Sequence, residues 1–451
     1  MTKVKFIAYF SLLLLLFPLL GKAQSTQTEF ELSLEEALKY GLEHSTSIKQ
    51  AVYDQRKAKY REGEVMSSGL PQISAEAQYQ NYPNLPTQIL PGELVGQPGQ
   101  DLEVQFGTEY NANATIKASQ LIFDQSFFIG LQAAKGSREL YRLMKESTEE
   151  EVLYEVSTAF YTALQLESQL KVLDSNLKTL EQLENLMKVQ YENDLVKKTD
   201  YSRVKVNKAN LNTQFQSLQA NYKQQKNYLK LLLGMPISNQ ISLEKPEELE
   251  DISLQSMQYE REEQIEMQIL EKQKVLSQLE KKSFSAGYYP TLSLFGQQMW
   301  QAQRNEFNFF DNSEPWFQQT LWGIKLQIPI FDGLKKHRQI QQSNIELEKM
   351  SLQQTHTERQ LDMQFENARE QLNNSLKSVK AQEENKELAK EVYQQTQELY
   401  QEQVASLTEL LDAEQAYRES QNNYYNELIK FKVAELDLLK AQGKLKTIIT
   451  Q

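Results

Sequence analysis

The sequence predicts a mainly α-helical fold with a small β part, built as two copies of one structural unit. Glycine and proline are scarce, with 16 and 11 of 451 residues, as is typical of long uninterrupted helices. The same order of predicted elements (helix, strand, strand, long helix, turn, helix) occurs twice. A short phrase also recurs in the two copies, so that three residues of the first, Tyr191, Thr199 and Asp200, match Tyr400, Thr408 and Glu409 of the second.

The chain begins with an export signal. Lys3 and Lys5 precede the apolar run FIAYFSLLLLLFPLL, and the sequence GKA follows it, which is the order of a secretory signal peptide. We expect cleavage after about Ala23, with a retained membrane anchor as the alternative. Because the chain has no cysteine, we expect neither disulfides nor lipid attachment to a mature N-terminal cysteine.

The charge of the chain disfavours one class of partner. The net charge is −12 at pH 7, and removal of residues 1–23 takes away three lysines and no acid, which leaves −15. An acidic chain without a basic block is a poor ligand for nucleic acid. After residue 23 no apolar run approaches the roughly 18 residues of a membrane-spanning helix.

The first repeat is predicted over residues 24–236. Its elements are a helical segment at about 30–66, with a second helical piece at about 46–66, strands at about 70–80 and 110–123 with a loop at 81–109 between them, and a long helical hairpin at 126–233 that turns at the recurring phrase.

The second repeat is predicted over residues 259–445 and is separated from the first by an acidic connector. The connector covers 237–258, the second helix about 259–284, the strands about 289–300 and 316–331, the second hairpin 333–444, and a C-terminal tail 446–451.

The strands are predicted to be amphipathic. Trp322, Ile324, Leu326, Ile328 and Ile330 alternate with residues that are mostly polar. This pattern is typical of a transmembrane barrel with lipid outside and water inside, and a soluble hairpin with one buried face is the alternative. Four strands cannot close a barrel, and open sheet edges are not tolerated in lipid. If the strands span a membrane, several copies must therefore associate.

Three tryptophans lie close to the ends of the predicted strands. Trp300, Trp316 and Trp322 are candidates for an aromatic girdle at the membrane interface.

Several phrases together resemble the TolC family of outer-membrane efflux proteins. They are LPTQILPGELVGQPGQDLEVQFGTEYNANA, ASQLIFD and SLTELLDAEQAYRES, in the duplicated layout described above, and the first is most similar to members from Bacteroidetes. The resemblance implies a homotrimer with a 12-stranded outer-membrane β-barrel that continues as an α-helical tunnel across the periplasm. It further implies a periplasmic adaptor and an inner-membrane pump of the RND or ABC type as partners, with passive conduction of substrate. A non-conducting periplasmic coiled-coil spacer is the alternative.

The resemblance also implies an acidic periplasmic gate in the sequence TELLDA. The matching positions are Glu409 and Asp412, and the first repeat has Asp200 and Arg203 instead. Like charges around a narrow opening attract cations, and we expect Arg203 to pair with an acid of the other repeat. The alternative is that Glu409 only completes a capping box with Ser406.

The two hairpin turns, at about 193–198 and 403–407, resemble the ends of the family that dock the adaptor. The residues expected to make this contact are Asp194, Leu195, Val196, Val404, Ala405 and Ser406. The alternative is that these residues only stabilise the turns.

No pattern in the sequence indicates catalysis. His44, His337 and His356 are scattered over predicted helices, and the chain has no HExxH motif, P-loop or GxSxG motif. We therefore expect neither an enzyme nor a bound cofactor or metal.

Overall fold

The computed structural model describes residues 29–91, 93, 96, 99–244, 259–311 and 313–449. The predicted signal peptide, most of the predicted connector and the last two residues of the tail lie outside these ranges.

The first repeat begins with a short strand and continues through the predicted helices and strands. Its elements are β1 (Glu29–Leu32), α1 (Leu34–His44), α2 (Thr46–Ser67), β2 (Gln72–Asn81), β3 (Thr87–Leu90), β4 (Leu102–Gln105), β5 (Tyr110–Phe123), α3 (Gln125–Glu192), α4 (Lys198–Leu233) and β6 (Gln240–Leu243).

The second repeat contains the same main elements in the same order. They are α5 (Ile265–Ala286), β7 (Thr291–Arg304), β8 (Phe317–Gln327), α6 (Lys335–Gln401) and α7 (Leu407–Ala441), with short 3₁₀ turns at Arg261–Glu263 and Leu445–Ile449. The fold class predicted from the sequence, mainly α with a small β part, is confirmed.

Four strands form one antiparallel sheet in the order β2-β5-β7-β8. Their register places apolar residues opposite one another on one face, as in the pairs Ala75–Ile116 and Leu294–Ile324. The other face is polar and rich in amides, as in the pair Gln78–Asn113. β2 and β8 are the edge strands of this sheet, so each has one unpaired side.

The helices next to the sheet follow the order of the strands. α2 packs on α3, α3 on α5 and α5 on α6, and these four helices are joined to β2, β5, β7 and β8 respectively. Further from the sheet, α4 packs on α3, α3 on α7 and α7 on α6. The α2/α4 side and the α6 side are therefore the two edges of the helical layer.

The long α3 helix, about 100 Å for 68 residues, is packed through two separate cores. A central core joins α1, α3, α4, β6 and the C-terminal turn and includes Leu38, Phe160, Leu233, Ile241 and Leu445. A tip core joins α3, α4 and the start of α7, and consists of Leu173, Leu180, Met187, Val204, Leu211, Leu407 and Leu411. No helix in the described part of the chain is long and apolar enough to cross a membrane.

The structure contains strands that the sequence patterns did not predict. β3 and β4 pair within the predicted loop 81–109, and β1 pairs in parallel with β6, which lies in the predicted connector. Each has four residues, too few to show a clear alternation. The helical segment 30–66 consists of two helices that meet at Ser45, and the second begins at Thr46, where a second helical piece was predicted.

The last predicted strand, 316–331, is too long. β8 ends at Gln327, two residues before Pro329, which has no N–H to donate to a sheet. Trp322 lies in the middle of β8, opposite Gly296, away from the strand end where we expected it.

Candidate gate and docking site at the helical tips

The two hairpin turns have the same backbone conformation. Asp194 of the first turn and Gln403 of the second both adopt the left-handed region, with φ of 58° and 62°. The N–H of the next residue then reaches back to a carbonyl of the preceding helix, from Leu195 to Gln190 and from Val404 to Leu399, at 2.8 Å in both turns. This is the hydrogen bonding of a Schellman motif, which satisfies carbonyls at the end of a helix.

The two turns lie at the same end of the molecule and are held together. Leu407 and Leu411 of α7 pack into the tip core against α3 and α4. The guanidinium of Arg203 on α4 also donates a hydrogen bond to the hydroxyl of Thr408 on α7. A movement that separates the first hairpin from the second must break both contacts.

Glu409 has the local role that its capping box predicts. Its carboxylate accepts hydrogen bonds from the backbone N–H and the hydroxyl of Ser406, at 2.6 and 2.9 Å, and its own N–H donates to the Ser406 hydroxyl at 3.3 Å. These bonds to the ionised form lower the pKa of Glu409. The side chain is exposed, so a charge remains at the tip.

The other three gate candidates lie close to this cap. Asp412 is exposed, and Asp200 is half-buried. The pKa of the Tyr400 phenol is raised, first by burial and then by the negative charge of the nearby Asp200. Within one chain, the side chain of Arg203 contacts the neutral hydroxyl of Thr408 and makes no ion pair with an acid of the described residues.

The docking candidates divide into exposed and structural residues. Leu195 and Val404 are 74% and 71% exposed and occupy matching positions in the two turns. Val196 instead packs against the tip core, Ser406 caps α7, Ala405 is half-buried and Asp194 is exposed. Of these six candidates, Leu195 and Val404 are the two large apolar side chains that are exposed.

A buried acid above the tip was missed by the sequence analysis. Glu414 is 9% exposed, and its Oε1 atom accepts no hydrogen bond within the described ranges. Burial raises its pKa, which Arg418, 3.8 Å away, partly opposes. It lines a cavity of about 220 Å³ between α3, α6 and α7, together with Tyr393 and Tyr400. Its position one helical turn after Leu411 on the buried face of α7 was the available signal.

An aromatic cluster lies at the far end of the sheet, where its strands are not joined to helices. Tyr79, Tyr110, Phe307 and Phe309 pack ring to ring at 5.7–6.2 Å, and Trp316 lies 6.1 Å from Phe309. Tyr79 belongs to the apolar row of β2, so the β7–β8 loop covers the apolar face. Of the three tryptophans predicted for a girdle, Trp316 joins this cluster. The phrase NEFNFF was its sequence signal.

The described residues contain no group of three or more histidine, aspartate or glutamate side chains suited to hold a metal ion.

Comparison with known proteins identifies the class of protein. Residues 264–444 match the family model described as outer membrane efflux protein. None of the curated proteins matches the chain in sequence. The architecture, in contrast, matches solved structures over nearly its whole length.

Three of these structures illustrate the similarity. The outer membrane protein VceC from Vibrio cholerae has 16% identity and a TM-score of 0.70, covering 91% of this chain and 96% of its own. The CmeC outer membrane channel of Campylobacter jejuni has 13% identity and a TM-score of 0.71, covering 92% and 88%. The open-state MtrE outer membrane channel of Neisseria gonorrhoeae has 15% identity and a TM-score of 0.69, covering 91% and 89%.

The fold and the matched segment therefore define an outer-membrane efflux channel subunit. Residues 264–444 carry the outer membrane efflux protein domain, and the fold of the whole described chain matches that of outer-membrane channels, in agreement with the resemblance found in its sequence. The matched domain supports the role of an outer-membrane channel component of an efflux system. A non-conducting spacer does not account for these similarities.

Proposed function

We propose that three copies of the chain close into a 12-stranded barrel in the outer membrane and a helical tunnel in the periplasm, and that the tunnel conducts substrate passively. The observation that carries this proposal is the free edge on each side of the sheet. Because unpaired strand edges cost several kcal/mol for each backbone group in lipid, β2 of one copy must pair with β8 of the next.

The helices support the same closure. The edge strands β2 and β8 continue into the edge helices α2 and α6, so a neighbour that pairs with the sheet also meets the helical layer. α6 carries apolar residues suited to such a contact, including Ile345 at 65% and Leu352 at 74% exposure. One copy thus leaves both a strand edge and a helix edge for its neighbour.

Cysteine cross-linking tests the closure, and the chain has no native cysteine. Ser74→Cys on β2, combined with single cysteines scanned along β8, is expected to give covalent dimers and trimers on denaturing gels. Ser119→Cys is the matched control, because it lies on the same face in β5, between β2 and β7, and is expected to give no cross-linked species. A protein purified as a monomer that forms no pores in planar bilayers contradicts the proposal.

The tip is proposed as the regulated entrance of the tunnel. Glu409, Asp412 and Asp200 supply carboxylates of three chains around one axis, which favours cations in the opening. The Arg203–Thr408 bond holds the hairpins of one chain together in the closed state. The test is ion selectivity of Glu409→Gln/Asp412→Asn in single-channel recordings, where an unchanged cation preference argues against the gate.

The exposed tip residues are proposed to dock a periplasmic adaptor that delivers substrate from an inner-membrane pump of the RND or ABC type. Leu195 and Val404 present the apolar contacts. A photo-reactive residue at 195 or 404 is expected to capture the adaptor, whereas one at the buried position 211 is not. We further propose that the chain is exported with cleavage after Ala23, is not lipidated, and has no enzymatic role.

A further inference from the structure

The connection between β8 and α6 carries some of the most exposed apolar side chains of the chain. Ile328, Ile330, Phe331 and Leu334 are 58%, 95%, 81% and 54% exposed. Ile328 and Ile330 continue the alternating apolar row of β8, which includes Ile324. This segment therefore extends the lipid-facing surface beyond the end of the strand, to the level where the helices begin.

Basic residues follow this apolar segment at once. Lys335, His337 and Arg338 are exposed in the first turn of α6. Lys336 is paired with Asp332 at 3.1 Å, but no ion pair involves Lys335 or Arg338 among the described residues, and Arg338 bonds only to the neutral Gln341. No acid occurs between Asp332 and Glu346.

Lys335 and Arg338 do not stabilise α6, the helix that carries them. At the start of a helix the macrodipole favours negative charge, so Lys335 and Arg338 lie at the unfavourable end of α6. They also stand out in a chain whose net charge is −12.

The first repeat supplies an internal contrast. Ile122, Phe123 and Asp124 precede α3 as Ile330, Phe331 and Asp332 precede α6. The first turn of α3, however, reads QSFF and has no charge, whereas that of α6 reads KKHR. Both aspartates accept a backbone N–H of the helix that follows, Asp124 from Ser126 at 2.7 Å and Asp332 from Lys336 at 3.1 Å. The charge of the second junction is an addition to a shared scaffold.

We propose that residues 328–338 form a foot that binds anionic phospholipid headgroups in the membrane leaflet facing the periplasm. This rests on the proposed membrane orientation. The apolar residues enter the boundary between acyl chains and headgroups, and Lys335 and Arg338 contact the headgroup phosphates. Apolar side chains beside cations are the features of an interfacial anchor, and basic residues at a membrane surface are attracted to anionic lipid.

The test measures lipid retained by the assembled protein in detergent, using phosphatidylglycerol and, separately, phosphatidylcholine. The wild type is expected to bind phosphatidylglycerol more tightly, and Lys335→Gln/Arg338→Gln to lose about 25-fold in affinity, about 5-fold for each cation. Lys377→Gln/Lys380→Gln removes two exposed cations at the same spacing on the same helix, about 60 Å further along. This control is expected to bind as the wild type does.

Other outcomes overturn the proposal. Equal phosphatidylglycerol binding by the wild type and Lys335→Gln/Arg338→Gln shows that these two basic residues do not bind the headgroups. Displacement of the lipid by inorganic phosphate at matched concentration indicates a site for free phosphate. Loss of the trimer in the variant identifies the foot as a contact between copies. Single-channel conductance of the same preparations tests the channel function separately. A protein that conducts but shows no lipid preference contradicts the lipid-binding proposal and leaves the channel function intact.

Discussion

Asp194 and Gln403, one in each repeat, adopt the same left-handed backbone conformation, with φ of 58° and 62°. The chain keeps the geometry of the turn in both repeats while the side chains differ. The N-cap residue of the next helix is Lys197 in the first turn and Ser406 in the second, and of the two only Ser406 makes a side-chain cap. The two turns therefore share a backbone conformation, but a side-chain cap stabilises only the helix that follows the second turn.

Ser406→Ala is expected to destabilise the start of α7. The substitution removes the hydroxyl that accepts from the Glu409 N–H and donates to its carboxylate, and loss of such a cap costs about 1 kcal/mol. Hydrogen exchange at residues 407–411 is expected to become about 5-fold faster. Lys197→Ala, at the matching position without a cap, is the control, and equal acceleration in both variants contradicts the assignment.

Arg203→Ala is expected to shift the tip toward an open state. The lost bond to Thr408 is charged but exposed, so we discount it to about 1 kcal/mol, which corresponds to about a 5-fold change in the closed–open ratio. Single-channel recordings should show a matching rise in open probability. Lys205→Ala, an exposed cation on the same helix, is the control. Unchanged gating in Arg203→Ala, or an equal effect in the control, shows that the bond does not hold the tip.

The long helices were predictable because many residues contribute to one signal. The predicted helix at 126–193 differs from α3 by one residue at each end, since Asp124 caps its start and the turn phrase marks its end. The predicted return helix extends to Leu233 as observed, because Gly234 terminates it. In such elements local propensity and tertiary packing agree.

Contacts between distant segments were less predictable. β1 and β6 pair from opposite ends of the first repeat, and nothing in either short segment specifies the other. The contact that Arg203 makes within one chain was not predicted, for a related reason. Charge suggested a carboxylate, but the register of α4 against α7, which is set by the tip core, brings the hydroxyl of Thr408 to it. The packing of distant segments determines such contacts, and the pattern of a single sequence does not show how those segments pack.

Gly234→Ala is expected to destabilise the central core. Gly234 has φ of 70°, and an added Cβ would lie 2.4 Å from the carbonyl oxygen of His44. The left-handed conformation alone costs about 1–3 kcal/mol in a strained site, and the clash adds to it. Gly63→Ala is the control, because that glycine lies within α2 with nothing within 4 Å of an added Cβ.

The control is expected to be neutral or to stabilise by up to about 1 kcal/mol. The thermal midpoint of Gly234→Ala should be lower than that of the wild type. The midpoint of Gly63→Ala should be unchanged or higher. Equal midpoints for Gly234→Ala and the wild type show that α1 and the end of α4 are not in close contact.

Glu414→Gln is expected to stabilise the protein at neutral pH and to reduce the dependence of its stability on pH. Burial raises the pKa of Glu414 above its ordinary value of 4.5, so the folded protein retains a proton that the unfolded chain has released. The contribution of Glu414 to stability is therefore greatest below pH 4.5 and is lost as the pH rises through its folded-state pKa. Above that pH the carboxylate is charged, buried and incompletely paired.

Glutamine removes this charge while it preserves the shape of the side chain in the cavity. The thermal midpoints of wild type and Glu414→Gln should coincide near pH 4 and diverge toward pH 8, with the variant higher. Glu419→Gln, on an exposed position of the same helix, is the control and should follow the wild type across the range. A constant difference between Glu414→Gln and wild type would mean that packing, rather than the buried charge, distinguishes them. The same pH series in bilayers tests whether ionisation of Glu414, which lines the cavity between α3, α6 and α7, also changes the open probability of the channel.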